Sequence, residues 1–210
     1  YENKSFFDIE TRLPNKKKTI LKKFEIPLIG AHNIKNATAA IAVSYFLGIS
    51  SNILKSSLKN FKGVERRFNK ILSYNGADIY DDYAHHPTEI KSILDGVHNV
   101  NPNRKIISVF EPHRYSRIMS LEDQFSKCFL KSDLVIMCPL YAAGEKKNFK
   151  FNQTKFGNLI AKNSKTQIII VKDVIELSNY FKKNLISNEI VIGMGAGIIS
   201  KWMAELKFSL

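Results

Sequence analysis

Eleven consecutive residues, Ile79-Tyr80-Asp81-Asp82-Tyr83-Ala84-His85-His86-Pro87-Thr88-Glu89, place two aspartates, two tyrosines and two histidines side by side. Imidazoles and perturbed carboxylates exchange protons near neutral pH, and phenols and imidazoles hydrogen-bond charged ligands. The run starts β-prone, and Pro87 stands where a first helical residue needs no N–H partner, so the stretch reads as a strand-to-helix turn. A turn that only reverses the chain uses Gly, Asn, Asp or Ser more often, so this density of titratable groups marks a site. The plain alternative is a polar loop closed by an Asx-type cap.

Further stretches carry chemistry of the same kind. Glu111-Pro112-His113-Arg114-Tyr115-Ser116-Arg117 sets two guanidiniums three residues apart beside an imidazole. That pattern suits bidentate capture of a carboxylate or phosphate, against a surface loop of solvated arginines. Arg66-Arg67-Phe68 either reaches a phosphate held between two domains or pins a linker to an acidic surface. Asn33 and Asn36 offer amides that can read an adenine edge, or simply cap a helix. Gly193-Met194-Gly195-Ala196-Gly197 departs from the dinucleotide fingerprint at Ile198, and the chain ends before an acidic ribose partner, so it reads as a tight strand-to-helix turn. Adjacent His85 and His86 cannot easily face one ion, so no metal site is assigned. No catalytic nucleophile or base is assigned either, and no Walker phosphate loop occurs in the 210 residues.

The elements that position these groups follow from periodicity. The opening to about Lys23 is polar with few apolar periods, and a strand over 24–29 ends at Gly30. Ala37, Ala40, Ile41, Ser44 and Leu47 recur at helical spacing, so Asn33 and Asn36 stand at a helix start, and Gly48 stops that helix. A second helix covers about 52–60, and Gly63 marks a hinge. Beyond it the spacing predicts strands near 69–74, 78–82, 105–110, 133–138, 167–171 and 189–193, and helices near 87–98, 119–131, 153–163, 173–184 and 197–206. Ile106-Ile107-Ser108-Val109-Phe110 and Ile168-Ile169-Ile170-Val171 are apolar without alternation, as in strands buried on both faces. The fold class is α/β, a doubly wound, mostly parallel open sheet, whose ligands sit outside the carboxyl ends of the strands. The polar stretches at 81–86, 111–117, 141–145 and 193–197 all follow strands.

Composition sets the outer bounds. At 44% hydrophobic and 24% charged residues the chain is ordinary globular material, without a membrane-length apolar run or a signal segment, so a cytoplasmic place is expected. Cys128 and Cys138 sit in apolar surroundings without a Cys-x-x-Cys pair, which argues against a disulfide framework. The net charge of +13 points to an acidic partner, nucleic acid or small phosphorylated ligands. The lysines come in short groups such as Lys16-Lys17-Lys18, Lys22-Lys23, Lys146-Lys147 and Lys182-Lys183, without a nucleic-acid recognition pattern, so no specific nucleic acid is expected.

In chain order, Gly30-x-His32-Asn33-x-x-Asn36-Ala37, Gly63-Val64-x-Arg66-Arg67-Phe68, the stretch from Asp81 to Glu89, Pro112 to Arg117, Tyr141-x-Ala143-Gly144-Glu145 and Gly195-Ala196-Gly197 resemble the motifs of the Mur ligases. The chain is similar to the C-terminal part of such an enzyme, in the branch that joins L-alanine to UDP-N-acetylmuramate. The resemblance implies that residues 1–62 are the tail of a central ATP-binding domain and 63–210 the Rossmann-like C-terminal domain. The missing phosphate loop and the Tyr1 start would then reflect a piece of a longer polypeptide, a piece that is inactive on its own. It implies ATP and Mg2+, the metal ligands lying in the missing part, with UDP-N-acetylmuramate, L-alanine and the rest of the polypeptide as partners and no membrane. By resemblance Asn33 and Asn36 meet adenine, Arg67 the phosphates and Asp82 the ribose, while Tyr83, His85, His113, Arg114 and Arg117 line the amino-acid pocket. Glu111 departs from the Gln expected there and would add a negative charge beside the substrate carboxylate. The other readings are a related ligase that adds a peptide and a stand-alone nucleotide- or nucleic-acid-binding module.

Overall fold

The computed structural model describes residues 4–12, 17–61 and 63–210; Tyr1, Lys16 and Lys62 lie outside them. The chain divides into two compact units, Tyr1–Val64 and Glu65–Leu210.

In the first unit, β1 (Ser5–Thr11) pairs antiparallel with β2 (Thr19–Ile26), from Ser5 opposite Ile26 to Thr11 opposite Thr19. This corrects the reading of the opening as featureless: Ser5, Phe7, Ile9 and Thr11 alternate with more exposed Phe6, Asp8 and Glu10, a period-two pattern with Ile9 buried. The strand expected over 24–29 runs earlier, because Pro27 has no N–H to continue the ladder. Helices α1 (Ala31–Phe46) and α2 (Ser51–Lys59) follow, and Phe24, Ile41, Leu54, Leu21 and Ile9 form one apolar cluster. Val43, Phe46, Leu47 and Ile53 are each more than half exposed.

The second unit is a six-stranded sheet in the order β3-β4-β8-β5-β6-β7, formed by β3 (Asn69–Tyr74), β4 (Ala77–Asp82), β5 (Lys105–Phe110), β6 (Leu134–Met137), β7 (Gln167–Ile170) and β8 (Glu189–Met194). Only the β3–β4 hairpin is antiparallel, turning at Asn75-Gly76, both with positive φ. From β4 the chain steps to β5, β6 and β7 and then returns to insert β8 between β4 and β5. Right-handed crossovers taken in opposite directions put their helices on opposite faces. Accordingly α7 (Val174–Asn184) and α8 (Ile199–Ser209) contribute Leu177, Phe181, Ile199, Met203 and Leu206 to a cluster with Ile79, Ile107, Val109 and Val191. The alternate strand residue Phe110 instead packs with tilted rings against Phe125 and Phe129, at 5.7 and 5.2 Å between ring centroids.

Helix α3 (Pro87–Val100) buries Ile90, Ile93, Leu94 and Val97, and α6 (Gln153–Ser164) buries Phe156 and Ile160. The single helix expected over 119–131 is instead two short ones, α4 (Tyr115–Ser120) and α5 (Glu122–Lys127). The break falls at Leu121, next to Ser120, whose hydroxyl donates back to the Arg117 carbonyl and so competes with the helical ladder.

Candidate functional site at the carboxyl edge of the sheet

Parallel register places the ends of four strands level. Asp82 pairs with Met194, Met194 with Phe110, and Phe110 with Met137, so the residues after each emerge along one rim. Backbone bonds carry the pairing past the strands. Glu111 N donates to Met194 O at 2.9 Å, Tyr141 N to Pro112 O at 2.8 Å and Arg114 N to Tyr141 O at 2.9 Å.

Glu111 is 1% exposed, and its carboxylate accepts from the amides of Gly197, Ile198 and Ile199 at 2.8, 2.9 and 3.1 Å. It neutralises the positive end of α8 and fills the anion hole that a glycine-rich turn offers to phosphate elsewhere. This corrects the expectation that Glu111 presents its charge to a substrate carboxylate: the charge is spent inside the fold. Burial pushes its carboxyl above the ordinary value, opposed by the three amides and by Arg66. The close approach also explains the glycines. A Cβ on Gly197 would lie 2.5 Å from the Tyr141 ring and 2.6 Å from Glu111 Oε1, and one on Gly195 would lie 2.9 Å from Glu111.

The two aspartates have separate duties. Asp82 accepts from Ala84 N at 2.7 Å and Phe68 N at 2.9 Å, one amide on each oxygen. Burial raises its pKa to about 6, the amides and Arg67 opposing and Asp81 adding to the rise. Asp81 Oδ2 accepts from Ser200 Oγ at 2.6 Å and lies 3.4 Å from Arg66 Nε, while its Oδ1 has no hydrogen-bond partner among the described residues. Arg66 also donates to Gly195 O at 2.6 Å and covers the Tyr83 ring at 4.8 Å. Phe68 stacks on Tyr80 at 4.1 Å. Arg66 is thus committed internally, whereas the Arg67 guanidinium makes no hydrogen bond or ion pair among the described residues.

The histidines divide in the same way. His86 caps α3, its Nδ1 accepting from Thr88 N, and Glu89 Oε2 reaches back to the amides of His85 and His86 at 3.0 and 3.2 Å. His85 Nδ1 lies 2.9 Å from Tyr83 O. A carbonyl only accepts, so Nδ1 carries the proton and, in the neutral ring, Nε2 keeps a lone pair. The His85 ring stands 5.1 Å from Tyr83 and 5.5 Å from His113, which faces Tyr141 at 5.6 Å. Arg117 Nη1 lies 3.2 Å from His113 Nδ1. Arginine only donates, so this nitrogen is the acceptor and the His113 proton sits on Nε2. Burial, reinforced by Arg117, His85 and Arg114, lowers the His113 pKa to about 4, leaving the ring neutral at neutral pH.

Arg114 has φ 67, a conformation costly for a non-glycine residue, and its exposed guanidinium makes no hydrogen bond or ion pair among the described residues. Glu145 holds the neighbouring turn by accepting from the Ser116 hydroxyl and, at 3.1 Å, from its amide. No three His, Cys, Asp or Glu side chains are grouped to hold a metal ion among the described residues.

The arrangement can bind a zwitterion or an anion: two unpaired guanidiniums, one guanidinium aligned by an imidazole, and two rings of opposite hydrogen-bonding sense share one rim. The family of the Mur ligase, glutamate ligase domain, matches residues 66–197, the span that holds all of these groups. The chain belongs to the Mur ligase family. It is 48% identical over 202 residues to the UDP-N-acetylmuramate–L-alanine ligase of Pelagibacter ubique, covering 96% of this chain and 44% of that one. The ligase of the same name from Bartonella henselae is 38% identical over 207 residues, covering 97% of this chain and 43% of that one. The chain therefore spans less than half the length of these relatives. The solved UDP-N-acetylmuramate-alanine ligase of Thermotoga maritima shares the fold with a TM-score of 0.73 at 24% identity, over 98% of this chain and 45% of that one.

Within this Mur ligase domain the structure gathers Tyr83, His85, His113 and Arg117, with Arg114 beside them, Asp82 at the carboxyl end of β4 and Arg67 in the turn before β3. Asn33 and Asn36 lie in the other unit, in the first turns of α1; Asn33 donates to Ile29 O at 2.8 Å, and Gly30, not an asparagine, occupies the cap position. Sequence reasoning left Glu111, Arg66 and Tyr141 without the roles seen here. The signal for Glu111 was a lone carboxylate closing a buried strand, and for Tyr141 the contact with a glycine far along the chain.

Two outcomes follow from this geometry. Glu111→Ala strands three buried amides and should cost about 3 kcal/mol or more, against about 1–2 kcal/mol for Glu111→Gln, which keeps an acceptor; urea unfolding that gives equal losses would contradict the clamp. His113 should titrate near pH 4 by NMR of its ring protons, where a value near 6.5 would show that it is not desolvated. Its folded pKa is lowered, so the associated stability is present above about pH 6.5 and is lost as pH falls towards 4. Asp82 has the opposite slope, its folded pKa being raised from 3.8 to about 6, so stability falls as pH rises across that window. His113→Gln should therefore shift the balance of stability between pH 5 and pH 7 towards pH 5.

Proposed function

We propose that this chain is the nucleotide-closing, amino-acid-binding part of an ATP-dependent, amide-forming ligase that joins L-alanine to UDP-N-acetylmuramate in peptidoglycan precursor synthesis. The carrying observation is that the rim cluster lies in a chain 48% identical, over 96% of its length, to a relative named for that reaction. Residues 1–62 are read as the tail of the ATP-binding domain, in keeping with the apolar side chains that α1 and α2 leave exposed. The rest of the polypeptide would supply the phosphate loop, the UDP-sugar site and the ligands of Mg2+. No helix here is long and apolar enough to cross a membrane among the described residues, in keeping with a reaction in water.

The proposed chemistry activates the lactyl carboxylate as an acyl phosphate, which the alanine amine attacks with loss of phosphate. This chain's residues would bind and orient. Arg67, whose guanidinium makes no hydrogen bond or ion pair among the described residues, would meet the ATP phosphates, and Asp82 the ribose with the second lone pairs of its oxygens. Asn33 and Asn36 are assigned to the adenine. Arg117, aligned by His113, would take the alanine carboxylate together with His113 Nε2–H, while His85 Nε2 faces the ammonium as acceptor. Arg114 and Tyr83 would close the pocket. Such positioning acts by converting an encounter between two bound groups into a local event, and by keeping water from the acyl phosphate.

In the full-length protein, phosphate release should require both UDP-N-acetylmuramate and L-alanine. Arg117→Ala should raise the KM for alanine about tenfold or more and that for ATP by less than about threefold. Equal rises in both would remove the assignment of Arg117, and release driven as well by a peptide as by alanine would redirect the substrate assignment.

A further inference from the structure

A second concave surface lies at the other end of the sheet. A cavity of about 720 Å3 opens where β5, β6 and β7 begin. Lys105 starts β5, Lys131 precedes β6 by three residues and Lys165 precedes β7 by two, and all three line it. Neighbouring strands are about 4.8 Å apart, so the starts of β5, β6 and β7 that these lysines flank span about 10 Å across the sheet. None makes a hydrogen bond or ion pair among the described residues. Among the described residues, four lysines of this unit have an acid within reach, Lys70 with Asp78 at 2.6 Å, Lys91 with Asp95 at 2.6 Å, Lys127 with Asp123 at 2.7 Å and Lys172 with Glu176 at 3.5 Å. The acid that lines the cavity, Asp133, already accepts from Ile106 N at 2.8 Å. Arg104 is committed to Asp78 and to the carbonyls of Asn188 and Glu189.

Lys165 adds an independent sign. It ends α6 at φ 53 and ψ 41, the left-handed position that glycine or asparagine fills at least cost. A lysine there costs about 1 kcal/mol relative to glycine, yet this lysine lines the cavity.

We propose that this cavity binds a small phosphorylated anion, at a site separate from the carboxyl-edge cluster. The volume lies in the range of small-molecule sites. Ammoniums lining one concavity act as point charges suited to tetrahedral phosphate oxygens, and the concave wall concentrates their field. No phenylalanine, tyrosine or tryptophan lines it, so it lacks the stacking surface on which single-stranded nucleic acid depends. The length of β5, six residues or about 20 Å, separates it from Glu111 and the groups beyond.

Calorimetric titration of the chain with inorganic tripolyphosphate in 150 mM salt tests this, with glycerol 3-phosphate and a 20-nucleotide single strand as further arms. One saturable tripolyphosphate site is expected, weakened about tenfold or more by Lys131→Gln with Lys165→Gly. It should not change with Lys172→Gln and Lys201→Gln, which remove the same charge elsewhere, nor with Arg67→Ala, which removes the guanidinium assigned to the ATP phosphates at the other edge. Lys165→Gly alone should hold or raise the Tm while weakening binding, so a loss of affinity cannot be ascribed to unfolding. Absence of saturable binding, or equal weakening by the control pair, would overturn the proposal. Tighter binding of the oligonucleotide would replace it with a nucleic-acid surface. Loss of binding in Arg67→Ala would place the anion at the carboxyl edge and overturn the proposal, leaving the alanine assignment to be judged by its own kinetics.

Discussion

The carboxylate of Glu111, buried at the end of β5 and held by three amides at the start of α8, is the contact on which the rim depends. It joins the loop after β5 to the turn after β8, so the carboxyl ends of these two neighbouring strands are fixed against each other. A buried carboxylate is tolerated because every donor around it is a backbone amide at a helix start, where partial positive charge is already aligned. The same contact demands glycine at 195 and 197, since any Cβ there would strike Glu111 or Tyr141. A turn that resembles a phosphate cradle in sequence therefore holds an anion of the protein's own.

Around this clamp, charge is sorted into groups that hold the fold and groups left for a ligand. Arg66 is consumed by Asp81, Gly195 and the Tyr83 ring, while its neighbour Arg67 remains unpaired. His86 caps α3 and His85 turns to the rim. Arg117 leans on a neutral His113, and Arg114 stands free at a strained position. In the pairs Arg66–Arg67 and His85–His86, one member is committed inside the fold and the other is not, an arrangement that fixes the rim before any ligand arrives.

The strands and most helices of the second unit were legible because a sheet buried on both faces leaves long apolar runs, and because Pro87 and the glycines punctuate them. The gathering of residues 81–86 and 111–117 at one rim was legible too, since parallel strands bring every following loop to the same side. The first hairpin was missed because Phe6, an exposed phenylalanine, masks the alternation of Ser5, Phe7, Ile9 and Thr11. The division of α4 from α5 depends on a serine bond to a carbonyl three residues back, which periodicity does not register. The inward aim of Glu111 was hidden because its partners lie more than eighty residues away, and no local pattern encodes a contact of that span.

The most direct test is NMR of the full-length ligase carrying histidine and tyrosine ring labels, loaded with 13C-methyl L-alanine, UDP-N-acetylmuramate and a non-hydrolysable ATP analogue. The account predicts cross-relaxation between the alanine methyl group and the rings of His113, His85 and Tyr83. An alanine that is bound but contacts none of these rings would contradict it.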